Sequence, residues 1–198
     1  MRTLEDPSSL VLASASPRRR DLLSQLGMRF TVAAADIDES PFSAEVADAY
    51  VLRLARTKAQ TVAGRFPGAW VLAADTTVAL GSQLLGKPSG PEEARDMLTR
   101  LSGRKHSVYT GVAVAGRAEV SAVVHTSVTF RTLSAGEIDW YVSTGEPLDK
   151  AGAYGMQGKG SFLVSAIEGS PTNVIGLPLG ETLELLTRAG VPLPWRAA

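Results

Sequence analysis

The sequence contains no cysteine, only two histidines and no net charge. Its 198 residues include 20 lysines and arginines against 20 aspartates and glutamates. Without cysteine, the chain has no disulfides, thiol nucleophiles or thiolate metal sites. His106 and His125 are far apart in the chain, which argues against a zinc site. Zero net charge argues against bulk nucleic-acid binding, which requires a basic surface.

Long apolar segments are also missing. No apolar run approaches about 20 residues, the length of a membrane span. The first ten residues, MRTLEDPSSL, lack the apolar stretch of a secretory signal. We therefore expect a cytoplasmic protein that spans no membrane. Its length fits one domain or two small lobes with a real core.

Strand patterns and helix patterns alternate along the chain. They predict strands at 10–14, 69–80, 106–116, 118–130 and 162–169. A further strand starts at residue 30 and continues into an acidic loop that ends at 40, and a short strand lies within 81–88. They predict helices at 17–26, Ser43 to Ala63, 91–102, 135–144 and within 177–190. The two long strands at 106–130 form a hairpin, so the predicted fold class is α/β with a mixed sheet. No linker marks a domain boundary, so residues 1–198 are expected to form one domain with peripheral ends at 1–9 and 190–198.

The segment SASPRRRDLL, from Ser14 to Leu23, places arginines at the start of a predicted helix. Ser16 can cap this helix, with Pro17 at its first position. Arginines there oppose the helix dipole unless an anion lies between them. A phosphate site on Arg18 and Arg19 is one interpretation. The other is a solvated surface run, paired with Asp21.

Lys58 occupies an unusual place in the long predicted helix. It falls on the apolar stripe formed by Val51, Leu54, Ala55 and Val62. A lysine there either extends its ammonium to the surface, which is the more common case, or reaches into a site. Arg53, Arg56 and Gln60 lie on other faces, where we expect solvent.

Two groups of carboxylates are candidates for chemistry. Asp75 ends the buried run WVLAAD, where a carboxylate must be paired, metal-bound or at a cleft, unless it only caps a turn at Thr77. The loop DIDE, from Asp36 to Glu39, offers three carboxylates. An oxygen-only cluster suits Mg²⁺ or Mn²⁺, although simple solvation also explains it.

Two further residues lie in loops. Lys87 in LGKP is unremarkable by itself. The glycines at 152, 155, 158 and 160 match no dinucleotide or P-loop pattern, and they either admit a ligand to the backbone or form a flexible loop. Gln157, among them, has a donor and an acceptor that suit a base edge.

Together these segments resemble the Maf family of nucleotide pyrophosphatases. The matching motifs run in order over nearly the whole chain: LASASPRRRDLL, DIDE, ARTKA, AADTTV, GKP, LSG, TFRTL, EPLDKAGAYGMQGKGS and GSPTNVIGLPL. The resemblance implies a fold similar to inosine triphosphate pyrophosphatases, with a mixed sheet and a cleft between two lobes. It also implies hydrolysis of nucleoside triphosphates to monophosphate and pyrophosphate with a divalent metal, Mg²⁺ or Mn²⁺.

The resemblance also implies roles for individual residues. Asp75 matches the expected proton acceptor, and Arg18, Thr76 and Gln157 match positions associated with substrate choice. Beside the resemblance, we expect Glu39 to hold the metal together with Asp75. We expect substrate binding from Ser14, Arg18, Arg19, Lys58, Thr76, Lys87 and Gln157. Thr76, which follows Asp75, resembles the residue at this position in the branch of the family that acts on dTTP and UTP. The branch that acts on 7-methyl-GTP carries glutamine there.

Other functions remain open from the sequence. Family members are linked to inhibition of septum formation, so the protein could act by binding a division protein, although no partner surface is evident. Action on purine or modified triphosphates is a third possibility. The sequence does not decide whether the protein forms a homodimer.

Overall fold

The structure, a computed structural model, describes residues 10–195. Within that range one sheet contains seven strands: β1 Leu10–Leu12, β2 Phe30–Val32, β3 Trp70–Leu80, β4 Gln83–Leu85, β5 Lys105–Gly116, β6 Val120–Phe130 and β7 Val164–Glu168. Their order is β2-β1-β3-β5-β6-β7, and β4 pairs with β3. β1 runs parallel to both β2 and β3, whereas β4 is antiparallel to β3 and β7 is antiparallel to β6. The predicted α/β class with a mixed sheet is confirmed.

The helices are α1 Pro17–Gln25, α2 Ala47–Ala63, α3 Pro91–Leu101, α4 Ala135–Ser143, α5 Pro171–Ile175 and α6 Leu179–Arg188, and 3-10 turns cover Glu146–Asp149, Ala151–Ala153 and Gly158–Leu163. Two of these helices begin with a side-chain cap, and the one at Ser16 was predicted. Ser16 accepts a hydrogen bond from the backbone of Arg19, and Ser134 forms a capping box with Glu137. None of the helices between residues 10 and 195 has the length and apolar content that a bilayer crossing needs.

The described chain divides into two compact units. Unit 1 comprises residues 10–75, 110–124 and 176–195, and its core includes alanines and valines of β1, α2 and β3. Unit 2 comprises residues 76–109 and 125–175, and its larger side chains come mainly from α3, α4 and the strands beside them. Two units agree with the two predicted lobes, and the cleft between them stays a prediction.

Several predicted boundaries were wrong. α2 begins at Ala47 rather than Ser43, because the preceding turn is closed by a hydrogen bond from the Phe42 backbone to Glu45, and Ala44 has a left-handed φ of 56°. The strand after residue 30 ends at Val32, and β7 starts only at Val164, after a 3-10 turn.

The predicted peripheral ends have different outcomes. Val191 and Leu193 are buried, so the tail is not wholly peripheral, whereas Trp195 is exposed. The tail packs because its apolar side chains follow α6 directly. Residues 1–9 and 196–198 lie outside the described residues.

A buried aromatic cluster in unit 2 contains His106. Its Nε2 lies 2.9 Å from the Tyr154 hydroxyl, and its ring meets the Phe130 ring edge-on at 4.9 Å. Burial lowers the pKa of His106 to about 4, against a weaker opposing effect of the Arg104 backbone. The imidazole is therefore neutral in the folded protein at pH 7.

This histidine should make the fold acid-sensitive. Between pH 6.5 and pH 4 the unfolded chain binds more protons than the folded one, so stability falls as the pH falls through that window. The loss at pH 4 should be about 3 kcal/mol. Chemical unfolding between pH 6.5 and pH 4 should show this fall in the free energy of unfolding in wild type and in the control His125→Gln, which changes an exposed histidine. In His106→Gln the contribution of His106 to the fall should be absent. A pH dependence in His106→Gln equal to that of wild type would contradict the role of His106.

Candidate active site

Several hydrogen-bond donors lie at the start of α1, a few residues after β1. Ser14 is buried two residues after the end of β1, and its Oγ accepts hydrogen bonds from the Ser16 backbone at 3.2 Å and from Arg19 Nη1 at 3.4 Å. The first turn of α1 has no acidic residue. A helix start that carries arginines and has no acidic residue in its first turn favours an anion at this position.

The three arginines have different surroundings. Arg19 is half-buried and donates Nε–H to the Gly176 carbonyl at 2.7 Å. Burial lowers the pKa of its guanidinium, Asp75 opposes that effect, and Arg18 and Glu39 also lie within electrostatic range. Arg20, by contrast, forms an exposed ion pair with Asp21 at 3.4 Å. The interpretation as a surface arginine paired with Asp21 therefore applies to Arg20 and not to Arg19.

Lys58 lies between two carboxylates. Its Nζ is 2.6 Å from Asp75 Oδ1 and 2.7 Å from Glu39 Oε1. The side chains of Lys58 and Asp75 are each only 10% exposed, whereas that of Glu39 is 49% exposed. The ammonium of Lys58 is therefore held in an ion pair and does not extend to the surface. Its role in substrate binding stays a prediction.

Asp75 ends the apolar run WVLAAD, but it does not end the strand. It lies in the middle of β3, because the strand continues through the β-branched Thr76 and Thr77. Lys58 offsets the cost of burying its carboxylate. The β1–β3 register pairs Leu12, the last residue of β1, with Leu72, three residues before Asp75.

The structure separates the three acids of the predicted acidic loop. Glu39 contacts Lys58, whereas exposed Asp38 accepts a hydrogen bond from the Ser40 backbone at 2.8 Å, and bonds from Ser40 lower its pKa. Asp36 is exposed. Among the three, Glu39 is the one placed with Asp75.

Three residues that support this loop were missed from the sequence. The Tyr50 hydroxyl donates to the Glu39 carbonyl at 2.9 Å. Arg53 binds both carboxylate oxygens of Glu45, at 2.7 and 2.6 Å, and donates to the Ser40 carbonyl at 3.1 Å. The expectation that Arg53 faces solvent was wrong, because the loop folds back over α2.

The electrostatics of Tyr50 agree with its position. Burial raises its pKa to about 12, and the carboxylates of Asp75 and Glu39 add to that rise. Tyr50 therefore stays protonated and continues to donate its hydrogen bond at any physiological pH. The helix that carries Lys58 thus also holds the backbone of Glu39.

The carboxylates of Asp75 and Glu39 fit a hard divalent cation. Both already direct an oxygen at one positive charge, the ammonium of Lys58. Mg²⁺ is commonly bound through only one or two carboxylates and keeps several waters. Between residues 10 and 195 there is no larger group of three or more acidic or histidine side chains placed to hold a metal.

The remaining predicted residues lie in unit 2. Thr76 follows Asp75 on β3 and is half-buried. Lys87 is exposed in the loop after β4, and Gln157 is exposed immediately before the 3-10 turn Gly158–Leu163. Their roles in substrate binding stay predictions.

Comparison with known proteins places these features in a family. A dTTP/UTP pyrophosphatase from Myxococcus xanthus (strain DK1622) is 70% identical over 193 residues, covering 98% of both chains. A dTTP/UTP pyrophosphatase from Anaeromyxobacter dehalogenans (strain 2CP-C) is 56% identical over 191 residues, covering 94% of this chain and 96% of the relative.

A solved structure supports the fold. That of a HAM1 protein from Coxiella burnetii aligns with a TM-score of 0.51 and 18% identity, over 91% of this chain and 96% of that chain. At this identity the likeness concerns the fold alone. Residues 9–189 match the family described as Maf-like protein. With that match and relatives at 70% and 56% identity, the chain belongs to the Maf-like protein family.

Proposed function

We propose that this chain hydrolyses dTTP and UTP to the nucleoside monophosphate and pyrophosphate. The observation that carries the proposal is the buried Lys58, held between Asp75 and Glu39 near an arginine-rich helix start. The names of the two relatives, both dTTP/UTP pyrophosphatases, support the substrate class.

The cations of the site would bind the triphosphate. The α1 N-terminus with Arg18 and Arg19 offers fixed donors for phosphate oxygens, and Ser14 holds Arg19 in place. Lys58 would transfer its hydrogen bonds from the carboxylates to the phosphates when substrate binds. Lys87 is proposed to add a further positive charge. Most of the catalysis then comes from positioning and charge stabilisation.

Asp75 would accept the proton of the attacking water. The water oxygen bonds to the α-phosphorus, the bond to the bridging oxygen breaks, and pyrophosphate leaves with its negative charge stabilised by the cations. In the substrate-free protein Lys58 donates a hydrogen bond to Asp75 Oδ1 and so occupies that oxygen. Movement of Lys58 to the phosphates would free the carboxylate for this step.

A divalent ion, Mg²⁺ or Mn²⁺, is part of the proposal. Glu39 and Asp75 would hold it, and it would supply charge neutralisation and a more acidic bound water. Tyr50 and Arg53 would keep the Glu39 backbone in place for this purpose.

A panel of nucleoside triphosphates tests the proposed function. Pyrophosphate release should be measured from dTTP, UTP, CTP, GTP and 7-methyl-GTP, with Mg²⁺, Mn²⁺ or EDTA. Metal-dependent release from dTTP and UTP is expected. Activity on 7-methyl-GTP alone would keep the enzyme class and refute the interpretation of Thr76. No release from any triphosphate would favour action by protein binding.

The assignment of Glu39 has its own test within the same loop. Glu39→Gln should raise the Mn²⁺ concentration that gives half-maximal activity by at least about tenfold. Loss of a group that only orients a metal ligand commonly has an effect of that size. Asp36→Asn removes an exposed carboxylate three residues away and should leave that concentration unchanged. Equal metal dependence in both variants would remove Glu39 from the metal site.

A further inference from the structure

Glu146 lies at the centre of a hydrogen-bond network in unit 2 that the sequence did not indicate. Its Oε1 accepts from the Tyr141 hydroxyl and from the Gly160 backbone, each at 3.0 Å, and its Oε2 accepts from the Lys159 backbone at 3.0 Å. The buried Tyr141 hydroxyl in turn accepts from the Gly155 backbone at 3.1 Å. Two side chains therefore hold the segment 155–160 by backbone groups on both sides of Gln157.

The backbone of this segment packs directly on the two side chains. A Cβ at Gly158, where φ is +86°, would come within 2.9 Å of Glu146 Oε2. A Cβ at Gly160 would overlap the Tyr141 hydroxyl. These glycines admit a close approach, so the segment is a tightly held turn and not a flexible loop.

The charge of Glu146 is stabilised in this position. Burial acts to raise its pKa, but the backbone N–H groups of Gly160 and Lys159, together with Tyr141 and Lys150, lower it below its usual value. The carboxylate therefore stays ionised and accepts several hydrogen bonds at once. Charge-assisted bonds of this kind are stronger than neutral ones.

We propose that Glu146, acting with Tyr141, is a positioning residue that sets the preference for uracil and thymine over cytosine by fixing the backbone of Gln157. The proposal rests on the proposed function and on the predicted contact of Gln157 with the base. Glu146 itself touches no substrate in this role. It holds the residue that does.

The chemistry of the two base edges explains why rigidity matters. Uracil and thymine present O4 as an acceptor beside the N3–H donor, whereas cytosine presents an N4 donor beside the N3 acceptor. The glutamine amide has one donor group and one acceptor, so reversing its orientation exchanges the base that it fits. Discrimination therefore requires one orientation of the amide, and a held Gln157 backbone restricts the orientations that the amide can adopt against the base.

The test compares UTP and CTP in wild type, Glu146→Gln and Tyr141→Phe. Glu146→Gln should raise KM for UTP more than it lowers kcat. It should reduce the UTP-to-CTP ratio of kcat/KM by roughly tenfold, near the lower range of what one bidentate base contact provides. Tyr141→Phe should shift the ratio in the same direction. Faster hydrogen exchange at the amides of Lys159 and Gly160 should accompany the change in Glu146→Gln.

A matched control separates positioning from loss of stability. Glu137→Gln removes a carboxylate of the same unit that caps α4 and pairs with Arg131 at 2.7 Å, without bonding to 155–160. It should lower the melting temperature while keeping the UTP-to-CTP ratio. If Glu146→Gln does not fold, Tyr141→Phe decides the question by the same ratio.

The outcomes distinguish this inference from the proposed function. A wild type that hydrolyses neither UTP nor dTTP defeats the proposed function and this inference with it. A wild type that prefers UTP, together with folded variants that keep the same ratio and KM, overturns only the role of Glu146. A wild type that hydrolyses UTP and CTP equally also overturns it, because there is then no preference to set.

Discussion

Replacement of Asp75 by asparagine should lower kcat by about 10²–10⁴-fold, the range associated with loss of a general base. The amide keeps the size of the carboxylate and a hydrogen bond to Lys58, so the fold should persist. It cannot accept the proton of the attacking water, and it is a poorer metal ligand. Steady-state release of pyrophosphate from UTP measures the effect, with thermal unfolding recorded in parallel.

The control for this variant is Asp21→Asn. Asp21 lies on α1, close in sequence to the predicted phosphate site, but its carboxylate is exposed and pairs only with Arg20 among the contacts described. It should keep wild-type activity. An Asp75→Asn protein that is folded and retains more than about a tenth of wild-type activity would remove Asp75 as the base.

Replacement of Lys58 by methionine is expected to have the second-largest effect. It removes the cation between Asp75 and Glu39 and one charge that stabilises the leaving pyrophosphate. We expect kcat/KM for UTP to fall by about 10²–10³-fold, as when a preorganised charge is lost from other active sites. Lys58→Arg should recover part of the activity, because it restores the charge with different geometry.

Loss of stability must be separated from loss of catalysis in this variant. Removing one partner of a buried ion pair leaves an uncompensated carboxylate, which destabilises the fold. Denaturant unfolding of Lys58→Met should therefore show lower stability, and activity should be expressed per folded protein. Arg56→Met, two residues earlier on α2 and exposed, should match wild type. A folded Lys58→Met with activity within a factor of about ten of wild type would contradict the role.

The sequence predicted those features that depend on local pattern. The helical period exposed Lys58 as a charge on an apolar stripe, and the cap at Ser16 marked the start of α1. The strand predicted at 69–80 agrees with β3 to within one residue, but the sequence did not identify the partner of the buried Asp75 carboxylate. That partner lies 17 residues away, on α2.

The missed residues depend on contacts without a local signal. Arg53 reaches Glu45 only because the loop before α2 turns back at Ala44. Glu146 binds backbone N–H groups 13 and 14 residues further along, and a backbone donor is the same at every position except proline. Patterns of side chains therefore do not reveal such a support, whereas the folded arrangement does.

The central claim is hydrolysis by attack of water on the α-phosphorus of dTTP or UTP. Its most direct test is hydrolysis of UTP in ¹⁸O-labelled water, with mass analysis of both products. The proposed mechanism predicts a single labelled oxygen in UMP and none in pyrophosphate. Label in pyrophosphate, or release of orthophosphate with UDP, would place the attack at another phosphorus and contradict it.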